Sequence, residues 1–426
     1  MQSLLGIIVI ITLAWAAGRA AEGPGSEGHG GGRVDRRLWH RIGVALALQF
    51  VIAVILLKLP AARGVFLGLN DAVLALQQAT KAGTSLVFGY VGGAPAPFKE
   101  PYPGAAFILA TQALPLILVV SALSALLYHW RILPAVVKGF AWVLNRALGL
   151  GGPAGVGTAA NIFVGMVESP LLIRPYIDRM SRADLFVVMT AGMATIAGTM
   201  MVVYATILGQ VIPEALGHIL TASLINAPAA VLIARLMVPP QEGEADDDIE
   251  VQLPQTASGA MDAVTQGTVD GVKLLINVIA MLIVMVALVS LVNASLGLLP
   301  DAAGAALTLE RILGWILAPL AWLIGIPWEQ AATAGGLLGT KVILNEFIAY
   351  AGMAGMPETV LDARSKLIMT YALCGFANFG SLGIMIGGLG TMAPHRRADV
   401  VGLGLKSIAA GAGATALTAA VVALVV

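Results

Sequence analysis

The stretch Asn161-Ile-Phe-Val-Gly-Met-Val-Glu168 and the Gly-broken segment Met193-Ala-Thr-Ile-Ala-Gly198 have counterparts near the end of the chain. There the order is Lys341-Val-Ile-Leu-Asn-Glu346, a basic turn, and then Gly375-Phe-Ala-Asn-Phe-Gly-Ser381. Each unit sets a carboxylate in a Gly-interrupted apolar stretch, and a broken hydrophobic helix follows. Broken segments at corresponding positions of two halves are the sequence pointer to the substrate site of a secondary transporter. We therefore predict an inverted repeat with the site at its interface.

The composition places this repeat in a membrane. The chain has 426 residues, of which 58% are hydrophobic and 11% charged, whereas a soluble domain carries about 25% charged residues. Apolar stretches such as residues 4–17, 42–57 and 105–127 approach the length that crosses a hydrocarbon layer of about 30 Å. They do not alternate apolar with polar residues as barrel strands do, so we predict an all-α polytopic membrane protein.

Charge and cysteine content exclude several classes of function. Lys and Arg total 24, as do Asp and Glu, so nothing suggests a nucleic-acid partner. The single cysteine, Cys374, rules out an internal disulfide and a cysteine cluster, and no His pair at i, i+4 offers another metal site. Residues 1–17 lack the positive n-region of a signal peptide, which predicts a retained first span.

The distribution of Lys and Arg orders the spans. The basic loop at residues 19–41 marks the cytoplasmic side, so we predict that both termini are periplasmic. The stretch at residues 151–179 is basic at both ends, which a re-entrant hairpin explains and an ordinary crossing does not. A second hairpin is predicted at residues 328–356 and an interfacial helix at 308–326. The eight predicted spans are residues 4–17, 41–57, 104–128, 185–208, 216–237, 269–299, 364–392 and 400–426.

This order divides the chain into five predicted parts. They are N-terminal scaffold spans and interfacial helices (1–150), a first transport repeat with hairpin 1 and two spans (151–238), an acidic cytoplasmic linker (239–265), a scaffold span with an interfacial helix (266–328), and a second transport repeat with hairpin 2 and two spans (329–426).

Polar residues inside these segments are the candidate site. A charged group at bilayer depth costs about 2.5–3.5 kcal/mol or more unless it is paired or solvated, so Glu168 and Glu346 are candidate functional residues. A structural salt bridge or a shallowly placed hairpin is the alternative. Asn378 and Ser381, spaced i, i+3 beside a glycine, are interpreted as cavity lining. Asp270 and Lys273 are interpreted as an interfacial ion pair.

The sequence resembles the concentrative nucleoside transporters over residues 145–426. The resemblance is carried by Ala160-Asn-Ile-Phe-Val-Gly-Met-Val-Glu-Ser-Pro170, Met189-Thr-Ala-Gly-Met-Ala-Thr-Ile-Ala-Gly198, Lys341-Val-Ile-Leu-Asn-Glu-Phe-Ile-Ala-Tyr350, and Cys374-Gly-Phe-Ala-Asn-Phe-Gly-Ser-Leu-Gly383 before Gly387-Gly-Leu-Gly390. It implies eight spans and two oppositely oriented hairpins in each subunit of a homotrimer.

The resemblance also implies roles for particular residues. Glu346, Asn378 and Ser381 would bind ribose hydroxyls, with Phe376 beside the ligand. Gly165, Met166, Val167 and Glu168 of hairpin 1 would face the nucleobase, with Met200 nearby. A Na⁺ ion would lie on the Asn161 side chain, the Thr195 hydroxyl and carbonyls at Val164 and Ile196. No other cofactor is implied.

Hairpin 1 departs from the family pattern. Well-known members have Gly-Gln-Thr-Glu or Gly-Gln-Ser-Glu where this chain has Gly165-Met-Val-Glu168. The two side chains expected to hydrogen-bond the base are replaced here by the apolar Met166 and Val167. The base selectivity of those members therefore cannot be carried over to this chain, and a nucleoside-like solute is an alternative substrate.

The function expected from the sequence is nucleoside import across a bacterial inner membrane by alternating access, coupled to Na⁺ or H⁺. The expected partners are a nucleoside, the bilayer and two further copies of the chain. An intramembrane hydrolase using Glu168 or Glu346 is disfavoured because no nucleophile is placed beside a base, and a channel because it would not need inverted repeats.

Overall fold

The structure is a computed structural model that describes residues 1–21, 36–99, 106–166, 168–209, 211–240, 251, 253, 257–302 and 304–426. Val167, most of the predicted acidic linker and most of the basic loop at residues 19–41 lie outside the described residues. The described part is built of helices, and the predicted all-α membrane class is confirmed.

Five α-helices are present among the described residues of the N-terminal part. They are α1 (Gln2–Ala21), α2 (Arg36–Lys58), α3 (Pro60–Phe88), α4 (Leu116–His129) and α5 (Ile132–Leu148). A 3₁₀ turn (Gly89–Gly92) and a π turn (Leu109–Ala113) lie between α3 and α4. Helix α5 is amphipathic and is capped after Leu148 by Gly149, whose φ of 63° is the left-handed conformation that a glycine C-cap provides.

The two predicted transport repeats contain the same order of elements, a hairpin of short helices, a broken helix and a long helix. The first comprises α6 (Gly152–Asn161), α7 (Glu168–Leu172), α8 (Arg174–Ile177), α9 (Arg182–Ala194), α10 (Gly198–Leu208) and α11 (Ala215–Met237). The second follows α12 (Ala260–Leu296) and α13 (Leu309–Leu323), and comprises α14 (Trp328–Ile343), α15 (Glu346–Ala354), α16 (Ala363–Leu373), α17 (Phe379–Met392) and α18 (Arg397–Val425), with a 3₁₀ turn (Pro394–Arg396) before α18.

Among the described residues, seven helical segments are long and apolar enough to cross a membrane. They are Gln2–Ala20, Trp39–Lys58, Leu109–His129, Arg182–Leu208, Ala215–Met237, Ala260–Leu296 and Pro394–Val425. An eighth span results if α13 and α14, which bend by 116° at their junction, count as one. The predicted seventh span at residues 364–392 consists of two short helices, α16 and α17. The predicted count of eight spans therefore stays a prediction.

The long helices of the two repeats form the buried centre, and α12 lies at the edge. Helices α11 and α18 pack against each other and are largely buried. Helix α12 packs closely on α4 because Gly267 and Gly271 leave room for the α4 backbone near Ser121 and Ala125. Most of the remaining α12 surface is exposed. The α4–α12 pair is thus a separate wall beside the repeats.

Candidate functional site

A cavity of about 390 Å³ lies where hairpin 1, hairpin 2, both broken helices and α12 meet. Its size falls within the roughly 300–1,000 Å³ typical of small-molecule pockets. Eight of the nine predicted substrate residues line it, and the ninth, Val167, lies outside the described residues. These eight are Gly165, Met166, Glu168, Met200, Glu346, Phe376, Asn378 and Ser381.

Glu346 is the buried carboxylate of this cavity, with 3% of its surface exposed. It is the first residue of α15, whose N-cap Asn345 accepts a hydrogen bond from the Ile348 N–H at 2.9 Å, and a helix N-terminus favours a negative charge. The Tyr204 hydroxyl donates to Oε1 at 2.5 Å, and Asn378 Nδ2 donates to Oε2 at 3.1 Å. Both oxygens are therefore held in place by side chains from other helices.

Asn378 and Ser381 are placed by the start of α17. Asn378 is the N-cap of that helix, and its Oδ1 accepts a hydrogen bond from the Ser381 N–H at 2.7 Å. This is the common capping arrangement that satisfies an unpaired donor in the first turn. Because the amide oxygen is used in the cap, the Asn378 amide nitrogen is directed to Glu346. The break in the helix thus orients the second polar group of the cavity.

Hairpin 1 contributes one carboxylate and an apolar wall. Glu168 is exposed to the cavity and begins α7. A Cβ at Gly165 would overlap the Glu168 carboxylate, so a larger residue at this position would require the Glu168 side chain to move. Met166 and Met200 are buried beside it. Among the described residues this side of the cavity therefore offers thioether side chains rather than the polar groups expected from the family pattern.

One side chain of α11 connects the breaks in the two repeats. Asn226 Nδ2 donates to the carbonyl of Ala194 at 2.7 Å and to the carbonyl of Cys374 at 2.8 Å. The Gly198 N–H donates to the Phe163 carbonyl of hairpin 1 at 3.0 Å. The backbone groups that each broken helix leaves unpaired are thus satisfied by neighbouring elements, and the two breaks are fixed relative to each other.

The residues expected to bind a cation lie together at the end of α9. Thr195 Oγ1 donates to the Asn161 carbonyl at 2.9 Å. Asn161 is 1% exposed, and its Nδ2 donates to the Gly157 carbonyl at 3.1 Å. Its Oδ1 has no hydrogen-bond partner in the described part of the chain. Val164 and Ile196 lie in the adjoining loop and break. An unpaired buried amide oxygen is costly alone and suits a hard cation, which prefers oxygen ligands.

Several cavity residues were missed by sequence reasoning. Tyr204 is fully buried in the apolar helix α10, and the signal was that a buried tyrosine hydroxyl requires a partner. Helix α12 lines the cavity through residues spaced by one or two helical turns, which share one face. They include Asn277, Met281 and Met285, together with Asp270 and Lys273, which the sequence analysis had named only as an ion pair. Asp270 and Lys273 do form the predicted ion pair, at 3.0 Å.

Comparison with known families matches most of the chain to nucleoside transporters. Residues 35–91 match the model of the Na⁺ dependent nucleoside transporter N-terminus, residues 110–211 match nucleoside recognition, and residues 218–423 match the Na⁺ dependent nucleoside transporter C-terminus. An uncharacterized transporter of Bacillus subtilis, YutK, is 38% identical over 89% of this chain and 91% of its own. The putative nucleoside permease NupX of Escherichia coli is 32% identical over 96% and 95%.

The fold is also similar to solved structures of the protein CNTnw. Its inward-facing substrate-bound state has a TM-score of 0.86 and 34% sequence identity, over 99% of this chain and 98% of the other. A variant of CNTnw in an outward-facing state gives the same TM-score of 0.86. The similar CNTnw structures thus include both an inward-facing and an outward-facing state.

Proposed function

Because the chain belongs to the concentrative nucleoside transporter family, we propose that it imports ribonucleosides into a bacterial cell across the inner membrane, driven by a Na⁺ or H⁺ gradient. Family membership also excludes the hydrolase considered for Glu168 and Glu346, since the family consists of transporters and not enzymes.

The geometry of Glu346 carries the proposal for the sugar. An ionised carboxylate has about four acceptor positions, and the bonds from Tyr204 and Asn378 use two of them. The remaining lone pairs are suited to two neighbouring ribose hydroxyls. Ser381 lines the same part of the cavity and adds a hydroxyl. We therefore assign ribose recognition to Glu346, Asn378 and Ser381, with Phe376 packing on the nucleoside.

The base faces a surface that selects weakly. Met166 and Met200 provide flexible, polarisable surface, and Glu168 is the polar group that hairpin 1 contributes among the described residues. An apolar wall discriminates by shape, at about 1–3 kcal/mol per methylene-sized misfit. Several ribonucleosides, or a nucleoside-like solute with an intact ribose, are therefore proposed substrates.

Coupling is proposed to occur at Asn161, Thr195, Val164 and Ile196. The unpaired Oδ1 of Asn161 supports a bound Na⁺ there, which would stabilise the contact between hairpin 1 and the end of α9. If the coupling ion is H⁺, a cavity carboxylate is the proposed carrier, because carboxylates in apolar surroundings bind protons more readily.

Transport is proposed to follow alternating access. The hairpins and broken helices would move together, since hydrogen bonds join both breaks through Asn226. The α4–α12 pair would be the stationary wall. We propose a homotrimer with periplasmic termini, in which exposed surface of the N-terminal part and α12 contacts lipid or neighbouring copies.

A thermal-shift panel of nucleosides and free bases, with Na⁺ or choline, tests the proposal. A ligand at about 100 times its Kd stabilises the folded state by about 2.7 kcal/mol, so ribonucleosides should raise the melting temperature and free bases should not. Uptake into proteoliposomes under a Na⁺ gradient, with and without a protonophore, then identifies the ion. No stabilisation by any nucleoside, or flux that never saturates and never runs uphill, would refute nucleoside symport.

A further inference from the structure

The ends of the two broken helices differ in how their carbonyls are satisfied. The last carbonyls of a helix have no partner within the helix and form the negative end of its dipole. At the end of α16, a lysine from hairpin 2 meets them, because Lys341 Nζ donates to the Ala372 carbonyl at 2.9 Å and to Thr415 Oγ1 at 2.8 Å. Thr415 in turn donates to the Ala412 carbonyl at 3.1 Å.

Lys341 is held entirely inside the protein. Only 1% of its surface is exposed, and it is one of the largest fully buried side chains. A buried ammonium is costly unless it is paired and hydrogen-bonded. A basic side chain is therefore built into the place where hairpin 2, α16 and α18 meet.

The corresponding place in the first repeat has oxygen atoms but no basic side chain. Hairpin 1 contacts the end of α9 through Asn161 and Thr195, and the unpaired Asn161 Oδ1 lies 3.6 Å from where a side chain at Gly192 would begin. The sequence of α6, Gly152–Asn161, contains no Lys or Arg. Asn161 and Lys341 both stand in the last turn of the first arm of their hairpins.

We propose that Lys341 is a covalently attached substitute for a cation in the second repeat. In the first repeat an exchangeable ion would join the hairpin to the broken helix, and in the second repeat the Lys341 ammonium does so. Lys341 is then a positioning residue, because it holds the end of α16, and through it Asn378, against Glu346 without touching the substrate. Only the comparison with the first repeat rests on the proposed function.

Replacing Lys341 with an oxygen ligand should turn the fixed charge into an ion site. Lys341→Asn places an amide where the ammonium was, as Asn161 does in the first repeat, whereas Lys341→Met removes the charge and offers no ligand. The matched control is Lys366→Met, since Lys366 is also buried, in α16, but donates to the Met356 carbonyl away from the break. All variants are purified as full chains and titrated with Na⁺, with choline as the replacement.

We expect Lys341→Met to bind uridine about tenfold more weakly or worse at every Na⁺ concentration, because a charge-assisted contact is lost. Lys341→Asn should regain affinity at high Na⁺, with a Na⁺ dependence steeper by about one ion. Its melting temperature without nucleoside should also rise with Na⁺ more than that of Lys341→Met. Lys366→Met should match the wild type in all three measurements.

The inference is overturned if both Lys341 variants keep the wild-type uridine affinity and Na⁺ response, which would make the lysine a packing residue. If both variants fail to fold, Thr415→Val removes one acceptor and keeps the charge. A weaker uridine affinity in that variant supports the inference, and a lower melting temperature with unchanged affinity overturns it. Because the melting curves need no nucleoside, they remain informative even if the wild type binds no nucleoside and the proposed function fails.

Discussion

Replacing Glu346 with glutamine tests the ribose site with little change to the fold. The amide oxygen of the new side chain can accept from Asn378 Nδ2, which lies 3.1 Å from Oε2 in the wild type. The amide nitrogen then faces the Tyr204 hydroxyl, at 2.5 Å from Oε1, and a hydroxyl can turn to accept. Neither neighbour is left unpaired, so Glu346→Gln should be produced at close to the normal amount.

The loss should appear in substrate affinity. The amide nitrogen cannot accept a hydrogen bond, so one ribose hydroxyl loses its acceptor and the other donates to a neutral oxygen. A hydrogen bond to a charged group contributes about 1.5–3 kcal/mol, which corresponds to roughly a tenfold to hundredfold weaker affinity for a ribonucleoside.

The assay is binding of radiolabelled uridine to purified protein, together with uptake into proteoliposomes at matched protein amounts. Glu329→Gln is the matched control, because Glu329 is an exposed carboxylate in the first turn of α14, in the same hairpin but outside the cavity. It should bind and transport uridine like the wild type.

The role of the sugar is isolated by repeating the measurement with 2′,3′-dideoxyuridine. If Glu346 accepts ribose hydroxyls, the substitution and the removal of the hydroxyls delete the same interaction, so their effects should not add. Glu346→Gln should then weaken uridine binding strongly and dideoxyuridine binding little. An equal loss for both ligands would refute ribose recognition by Glu346.

Three further predictions address other parts of the chain. Asn161→Ala should weaken the dependence of uptake on Na⁺ by removing a buried amide oxygen. If wild-type uptake does not depend on Na⁺ but is abolished by a protonophore, the coupling ion is H⁺ and not Na⁺. Met166→Gln with Val167→Thr should narrow the range of ribonucleosides that compete for uptake, whereas a wild type that accepts one base and excludes the others by orders of magnitude would contradict the apolar wall. Asp184→Asn should lower the melting temperature, because Arg235 loses the carboxylate that lies 2.6 Å away in a mostly buried ion pair. Breaking such a pair costs about 3–5 kcal/mol of folding free energy. An unchanged melting temperature would show that the pair is solvated.

Much of the fold followed from the sequence because the bilayer makes interruptions visible. A lipid-facing helix needs a long apolar run, so the polar and Gly-rich stretch around Glu346 stood out as a hairpin. The hairpin around Glu168 was indicated instead by basic residues at both of its ends. The break at Cys374–Asn378 was signalled by Gly375, whose backbone passes so close to the Ala194 carbonyl that a side chain would not fit. The interruption between α9 and α10 was likewise signalled by a glycine, Gly198.

The candidate site was predicted in part. Glu346, Asn378 and Ser381 were predicted to belong to it because they are polar groups in apolar helices. A polar group in that setting is costly unless it is paired or serves a function. Tyr204 was missed because a tyrosine in an apolar helix is commonly packing, and its bond to Glu346 joins residues 142 positions apart. The role of α12 was missed because residues on one helix face indicate a surface but do not say what that surface meets.

The sequence alone determined that the chain is an all-α membrane protein with two similar units, because the length and interruption of apolar runs are local properties that a bilayer enforces. Only the tertiary structure decided which polar groups meet. In α9 every residue from Ala183 to Ala194 is buried, so no amphipathic stripe shows which face packs against which neighbouring helix. Contacts such as those of Lys341 with Ala372 and Thr415 depend on the packing of three separate helices, and therefore no spacing within one segment could indicate them.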